Sequence, residues 1–250
     1  MKNIFLYILL NIGLFANAQD IDSLFIKANK LYQSDKYSQA LELYNQVEKQ
    51  GAKSAALYYN MANTFFKTNQ VAPSIYYYEK ALALQPNDKD ILFNLDYANR
   101  MTIDHIEPLP KSLGQKFREN VVLRFTYNTW AIIAASLAFL FAILFLLYHF
   151  SYDTSKKRIY FITSIISAIL VFVSVTFAFQ NENLMSKENY AIIFASKTNA
   201  KSAPTQTGEI NFELHEGTKV QILETLGNWK KIKIADGNMG WIKAEDIKEL

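Results

Sequence analysis

The chain has no cysteine among its 250 residues and only three histidines. Disulfide scaffolds, thiolate metal sites and cysteine nucleophiles are therefore excluded. His105, His149 and His215 lie far apart, and none forms a ligand pair at i, i+4 spacing. Glycine-rich phosphate loops and the short motifs of hydrolases and metalloproteases are also missing from the sequence. The sequence therefore predicts no metal site, no cofactor and no enzymatic activity.

The excess of positive charge is concentrated in the middle of the chain. The formal net charge is +3, but residues 19–105 and residues 181–250 each carry nine basic and ten acidic side chains. Residues 106–180 carry seven basic and three acidic side chains. A basic nucleic-acid-binding face should lie on a folded domain. Here the excess surrounds long apolar runs, which argues against nucleic acid as a partner.

The N-terminus has the pattern of a secretory signal peptide. Lys2 precedes an apolar run over residues 4–15, and Ala16-Asn17-Ala18 follows as a small-x-small cleavage site. The apolar run is short for a membrane span. We predict a signal peptide over residues 1–18, cleaved after Ala18. An uncleaved N-terminal anchor is the alternative.

A repeat with a period of 34 residues follows. Residues 28–52 align with residues 62–86, with small residues and tyrosines in register and a proline closing the second unit. This pattern resembles the tetratricopeptide repeat. The resemblance implies pairs of antiparallel helices that bury their apolar faces by stacking. The predicted packing residues are Ala28, Ala40, Tyr44, Ala62, Ser74, Tyr78, Ala81 and Pro86.

The predicted tetratricopeptide domain covers residues 19–105. Its repeats run over about 21–54 and 55–88, and a capping helix over 88–101 carries apolar residues in the same register. The prolines of the segment 106–110 then end the helical pattern.

The concave face of such a stack is the predicted binding surface. Some tetratricopeptide domains hold a C-terminal carboxylate with two asparagines and three basic residues. Asn29 and Asn60 match the asparagines, but Phe25, Asp90 and Asn94 occupy the basic positions. Without cations a carboxylate has little to pair with, so an apolar or amphipathic peptide segment is expected instead. The predicted protein-binding residues are Phe25, Asn29, Tyr32, Tyr59, Asn60, Asn63, Phe66 and Tyr97.

Two uncharged runs predict a membrane hairpin. Trp130–Tyr148 and Ile159–Phe179 contain no charged residue, and each is long enough to cross about 30 Å of hydrocarbon. Aromatic residues at their ends suit the membrane interface. We predict transmembrane helices over 130–150 and 159–179, joined by a turn over 151–158.

The linker over residues 106–129 contains a basic amphipathic pattern, with Leu113, Phe117, Val121 and Phe125 recurring every four residues. It predicts a helix at the membrane surface. An ordinary soluble linker helix is the alternative.

The signal peptide and the hairpin together predict the topology. The signal peptide would place the repeats outside the bacterial inner membrane, and two crossings would return the chain to that side. The turn would then be cytoplasmic, and its Lys156, Lys157 and Arg158 agree with the positive-inside rule. We predict that the N-terminal and C-terminal domains are both periplasmic.

The C-terminal residues 185–250 have the pattern of a small β-domain. Short stretches rich in β-branched and aromatic residues alternate with turn sequences. We expect a five-stranded barrel, with strands over Tyr190–Ala195, Ile210–Leu214, Thr218–Thr225, Trp229–Ile234 and Gly240–Ile247.

The order of three short motifs in this region resembles bacterial SH3-like domains. They are Gly217–Val220, Gly227–Trp229 and Asp236–Ile242. Such domains often bind cell-wall peptides or other proteins. Trp229, next to a turn, is the predicted surface-binding residue, and Trp241 is expected in the core.

The complete order of segments predicts a multi-domain membrane protein. It combines all-α tetratricopeptide hairpins, a two-helix transmembrane hairpin and a small all-β SH3-like barrel. This architecture resembles the BatE-type tetratricopeptide proteins of the Bacteroides aerotolerance operon. The resemblance implies protein partners among the von Willebrand-type membrane proteins of the same operon.

We predict a non-enzymatic scaffold in a BatA–BatD-like aerotolerance or envelope-stress complex. Its two interaction modules would be tethered close together by the hairpin, which raises the effective concentration of each module. The alternative is a sensor that binds peptidoglycan through the SH3-like domain.

Overall fold

The computed structural model describes residues 21–187 and 189–250, with no side-chain description for 183–188. The chain forms two compact units. One contains the chain up to Pro108 together with Tyr190–Leu250, and the other is Leu109–Asn189. The predicted fold class is confirmed by helical hairpins, two long apolar helices and a C-terminal antiparallel sheet. The predicted signal peptide lies outside the described residues.

The first unit begins with stacked helical hairpins. Within residues 21–108 the helices are α1 at 21–33, α2 at Tyr37–Lys49, α3 at Ala55–Lys67, α4 at Val71–Leu84 and α5 at Lys89–Asn99. α1 pairs with α2 and α3 with α4, while α5 ends the stack.

The 34-residue period is visible in the turns within the two hairpins. Asp35 and Asn69 both have a φ of 58°. Their amides donate to the carbonyls of Tyr32 and Phe66, each at 3.0 Å. Asp and Asn adopt this left-handed conformation more readily than most residues with a side chain. The same local turn therefore closes both hairpins.

Small residues allow close contact between the helices. Ala28, Ala40, Ala62 and Ser74 are fully buried. The Ser74 hydroxyl donates to the carbonyl of Ala62 at 3.0 Å, which satisfies a polar group inside the stack. Of the predicted packing residues, all except Pro86 are buried, and Pro86 is partly exposed.

Residues 190–250 form an antiparallel sheet with the strand order β3-β2-β6-β5-β4-β1-β7. The strands are β1 Tyr190–Ile193, β2 Lys197–Lys201, β3 Ile210–His215, β4 Lys219–Leu226, β5 Trp229–Lys233, β6 Met239–Lys243 and β7 Ile247–Glu249.

The expectation of five strands in this region is wrong, because the sheet has seven. A 3₁₀ turn over Ala244–Asp246 separates β6 from β7, which we expected as one strand. β2 lies partly in a stretch expected to be a turn, because its sequence is polar. Its Ala200 is buried against Gly240, where an added Cβ would lie 2.8 Å from the Ala200 Cβ. The close contact with β6 therefore accounts for strand β2, although its sequence is polar.

The sheet and the helices share a hydrophobic core. Ala191 and Ile193 of β1 lie in the core of the sheet, whereas Ile192 is fully buried among residues of the helices. Phe194 packs edge-on against Tyr76 of α4, with ring centroids 5.8 Å apart. The sequence predicts two modules tethered by the hairpin, but the structure packs them directly against each other. We call this contact the joint.

Polar contacts close the joint around Asp104, which follows α5. Its carboxylate accepts hydrogen bonds from the His215 amide at 2.7 Å and from the Thr218 hydroxyl at 2.6 Å. The Nδ1 atom of His215 lies 2.8 Å from the other carboxylate oxygen. Burial alone would raise the pKa of Asp104, but these hydrogen bonds hold that pKa below its ordinary value. An ion pair between Lys219 and Glu79 of α4 adds a second link at 2.7 Å.

The linker in the second unit is not one continuous helix. It contains α6 at Leu113–Phe117 and then a π-helical turn at Arg118–Val122. The Asn181 side-chain amide donates to the carbonyls of Val122 and Phe125, and the Trp130 indole also donates to Val122. These bonds satisfy carbonyls that a continuous helix would have paired internally, so the predicted amphipathic helix is interrupted.

Two long helices follow, α7 at Tyr127–Phe150 and α8 at Thr154–Lys187. α8 begins ahead of the expected Ile159, because the Asp153 carboxylate accepts from the amides of Ser155 and Lys156. The basic cluster therefore lies in the first turns of α8, and the turn itself is short.

α7 and α8 pack against each other through small side chains. Ser164, Ser167 and Ser174 of α8 are buried, and the Ser167 hydroxyl donates to the Leu137 carbonyl at 2.9 Å. Such small residues let transmembrane helices approach closely. Within the described residues, these two helices are long and apolar enough to cross a membrane, and only 6% and 17% of their apolar windows are buried. This exposure suits lipid contact better than the core of a soluble domain.

Candidate functional site

The concave face of the helical stack forms a pocket of about 300 Å³ between α1, α3 and α5. Aromatic rings and amides dominate its wall. Its lining residues are Tyr32, Tyr59, Asn63, Phe66, Lys67, Tyr78, Asn94 and Tyr97. Five predicted binding residues line this pocket: Tyr32, Tyr59, Asn63, Phe66 and Tyr97.

Hydrogen-bonded asparagines connect the helices of the concave face, and two of them, Asn63 and Asn94, line the pocket. In the first set, the Oδ1 atom of Asn29 accepts from the Tyr44 hydroxyl at 2.7 Å and from the Asn60 amide at 2.9 Å. Asn29 and Asn60 were both predicted as binding residues, and the structure brings them together. We call Asn29 and Asn60 the first rung.

The same arrangement recurs 34 residues later. The Oδ1 atom of Asn63 accepts from the Tyr78 hydroxyl and from the Asn94 amide, the latter at 3.1 Å. Asn94 also donates to the Tyr59 hydroxyl at 2.8 Å. We call Asn63 and Asn94 the second rung. The repeat of the sequence is thus a repeat of hydrogen bonding on the concave face.

A buried tyrosine is hydrogen-bonded to each rung. Burial raises the pKa of both Tyr44 and Tyr78, so both phenols stay protonated. Each phenol hydroxyl donates to the side-chain oxygen of its asparagine, Tyr44 to Asn29 and Tyr78 to Asn63.

Exposed aromatic rings lie beside the pocket. The side chains of Phe93 and Tyr97 on α5 are 71% and 57% exposed. Tyr97 packs edge-on against Phe66, with centroids 5.7 Å apart. Phe25, at the other end of the face, packs against Tyr44 with centroids 5.9 Å apart and lies outside the pocket lining.

Four residues of this surface were not among the predicted binding residues. They are Lys67, Tyr78, Phe93 and Asn94. The 34-residue period could have found two of them, since Phe93 follows Phe25 and Tyr59, and Asn94 follows Asn60. Tyr78 was assigned to packing only, yet it serves both packing and the pocket wall.

The two tryptophans of the sheet differ in exposure. Trp241 is buried, with 9% of its surface exposed. Trp229, at the start of β5, is partly exposed, and the Lys201 ammonium lies 5.9 Å from its ring centroid. In residues 21–187 and 189–250, no group of three acidic or histidine side chains is placed to hold a metal ion.

Comparison with known families identifies two modules. The model for the bacterial SH3 domain matches residues 195–249, which include β2 to β7. The model for the tetratricopeptide repeat matches residues 55–88, which include α3 and α4. No curated protein matches the chain. Both kinds of module are typically non-catalytic interaction modules.

Proposed function

We propose that this protein is a non-enzymatic, membrane-anchored adaptor that binds a segment of a partner protein on the concave face of its helical stack. The observation that carries this proposal is the open aromatic pocket, with Tyr97 and the nearby Phe93 largely exposed. Exposed aromatic side chains that surround a few polar groups are typical of protein-binding surfaces. The matches to two interaction modules support the same function.

The proposed location is the bacterial inner membrane, with both modules in the periplasm. The joint supports placing the repeats and the sheet on one side, because a bilayer cannot pass through their shared core. Two spanning helices would return the chain to that side. The signal-peptide pattern and the basic start of α8 favour the periplasm over the cytoplasm.

The proposed partners are membrane proteins of the von Willebrand type, in a BatA–BatD-like complex for aerotolerance or envelope stress. The support for these partners is the resemblance of the whole architecture to BatE-type proteins.

Capture from mildly solubilised membranes tests the adaptor function. The full-length protein should retain a membrane partner, and Tyr97→Ala should reduce its recovery at least fivefold, since it removes an exposed ring from the pocket. Tyr152→Ala is the matched control, because it removes an exposed tyrosine from the hairpin turn. Equal recovery with all three proteins would refute the proposed site.

Peptidoglycan binding by the SH3-like domain is a second candidate. The partly exposed Trp229 beside Lys201 favours it, because a ring with a nearby cation can hold a polar ligand. The test is co-sedimentation of the full-length protein with purified peptidoglycan. Binding should fall in Trp229→Ala and persist in Tyr97→Ala; no sedimentation of the parent protein would exclude this candidate.

A further inference from the structure

We propose that the open face of the C-terminal sheet docks on the surface of a bilayer that contains anionic phospholipids. This inference goes beyond the proposed adaptor function and does not depend on the pocket of the helical stack. It is carried by lysines and tryptophans that strand pairing brings together. We call this group the lysine–tryptophan face; its members are Lys201, Trp229, Lys231, Lys233, Trp241 and Lys243.

Strand pairing places these side chains on one face of the sheet. Residues directly opposite each other in neighbouring strands project from the same face. Trp241 of β6 lies opposite Lys201 of β2 and also opposite Lys231 of β5. The Lys231 ammonium lies 6.0 Å from the centroid of the Trp241 ring. Two further pairs follow along β5 and β6: Trp229 with Lys243, and Lys233 with Met239.

The joint covers another part of the same face. Gln221 of β4 lies opposite both Lys233 and Tyr190, so the face continues onto β1. There Ile192, two residues after Tyr190, is fully buried among the helices. The lysine side chains of the lysine–tryptophan face are only partly buried. The helices therefore occupy one end of this surface, and the lysine–tryptophan face lies on the part that remains open.

Positive charge dominates the open part. Glu213 pairs with Lys197 at 2.8 Å, and Glu245 pairs with Lys243 at 3.0 Å. Glu224 lies opposite Lys231 in β5. Among the described residues, no carboxylate lies within 4 Å of three further ammonium groups, those of Lys201, Lys231 and Lys233. This local excess of cations suits a partner that presents several anionic groups, such as the phosphates of a lipid surface.

Exposed apolar side chains border the lysines. Met239, opposite Lys233, is 49% exposed, and Leu226, opposite Trp229, is 55% exposed. Tryptophan favours the interface between water and hydrocarbon, and lysine can lay its apolar stem along that interface while its ammonium stays among the headgroups. The combination therefore matches the headgroup layer of a bilayer, where phosphates adjoin acyl chains.

The chain keeps the sheet close to such a surface. α8 is one of the two helices that are long and apolar enough to cross a membrane. It ends at Lys187, and β1 begins at Tyr190. Three residues of chain span at most about 11 Å. A tether this short gives the headgroups a high effective concentration at the sheet, so individually weak contacts suffice for docking.

Fluorescence quenching of the full-length protein in lipid nanodiscs tests this inference. Because the chain has no cysteine, Met239→Cys can carry a single fluorophore on the open face. A lipid with a nitroxide on its headgroup quenches a fluorophore at the bilayer surface. Quenching should be about threefold stronger with one third phosphatidylglycerol than with phosphatidylcholine alone. The matched position is Thr225→Cys, exposed on the opposite face of β4, where quenching should change little.

Charge removal tests the role of the lysines. Each lysine near an anionic surface contributes about fivefold to partitioning. Lys231→Gln combined with Lys233→Gln should therefore abolish the extra quenching that phosphatidylglycerol produces. Lys27→Gln combined with Lys30→Gln is the matched control, because it removes the same charge from exposed positions of α1. Raised salt should weaken the quenching of the parent protein as well, which tests the attraction without any lysine substitution.

The outcomes distinguish lipid docking from the other functions. Quenching that is the same in both lipids, the same at positions 239 and 225, or unchanged by loss of Lys231 and Lys233 would overturn the inference. If Trp229→Ala abolishes peptidoglycan binding while position 239 shows no lipid-dependent quenching, the face is a cell-wall site and lipid docking is wrong. Tyr97→Ala should leave the quenching unchanged, so failure of the adaptor function and failure of lipid docking are separate results.

Discussion

At the scale of single residues, Gly217 shows how closely the repeats and the sheet fit. Its φ of +88° favours glycine. A Cβ at this position would lie 2.8 Å from the Thr102 methyl group and 3.1 Å from the Ile75 Cδ1 atom. Gly217 therefore satisfies the backbone of its turn and the contact with the helices at the same time.

Gly217→Ala should destabilise the joint more than Gly227→Ala does. Gly227 also has a positive φ, of 56°, but a Cβ there would meet nothing within 4 Å. Both variants carry backbone strain of about 1 kcal/mol, and Gly217→Ala adds an overpacking cost of about 1–3 kcal/mol. Hydrogen exchange of the full-length protein should show faster exchange in α4 for Gly217→Ala only. Equal effects of the two variants would show that the joint is not tightly packed.

At the scale of elements, the segment after α5 is tied to the turn between β3 and β4 through Asp104. Its carboxylate contacts His215, the last residue of β3, and Thr218 in that turn. Since hydrogen bonds to a charged group are stronger than neutral ones, Asp104→Asn should cost about 2 kcal/mol of the free energy of unfolding at pH 7.

The stabilisation that Asp104 contributes should be lost at low pH. The folded-state pKa of Asp104 is lowered, so its stabilisation is complete above the unfolded pKa of about 3.9 and is lost as the pH falls through the folded value. Unfolding measured from pH 7 to pH 3 should show the difference between the parent and Asp104→Asn shrinking below about pH 4. Asp96→Asn, which breaks an exposed pair with Arg100, should cost less than about 1 kcal/mol. A constant difference for Asp104→Asn would contradict this account.

The elements that could be predicted are those with a strong local pattern. The 34-residue period predicted the helical hairpins, and the uncharged runs predicted two long helices. The interruption of the linker helix could not be predicted, because it depends on Asn181, far along the chain in α8. Strand β2 depends similarly on the close approach of Ala200 to Gly240. Both features depend on contacts between residues that are far apart in the sequence.

At the scale of the whole molecule, the joint was the main feature that the sequence did not reveal. Ile192 fits the alternating pattern of a sheet strand, and nothing nearby indicates that it packs among helices. The pocket on the concave face was more accessible to prediction, since five of the residues that line it were predicted from the repeat. The hydrogen bonds within the two rungs were not predicted, because the sequence does not show which side-chain atoms of the asparagines pair with each other.

The central claim is that the repeats and the sheet lie together on the outer side of the membrane, carried by the hairpin. The cysteine-free sequence makes this claim directly testable by single substitutions. Gln46→Cys in α2, Thr225→Cys in β4 and Tyr152→Cys in the hairpin turn are all at exposed positions. The parent protein serves as the unlabelled control.

Labelling of intact spheroplasts with a membrane-impermeant maleimide is the measurement. We predict that Gln46→Cys and Thr225→Cys are labelled before lysis, and that Tyr152→Cys is labelled only after lysis. Labelling of Gln46→Cys and Thr225→Cys from opposite sides would contradict the shared body, and labelling of both only after lysis would contradict the periplasmic location.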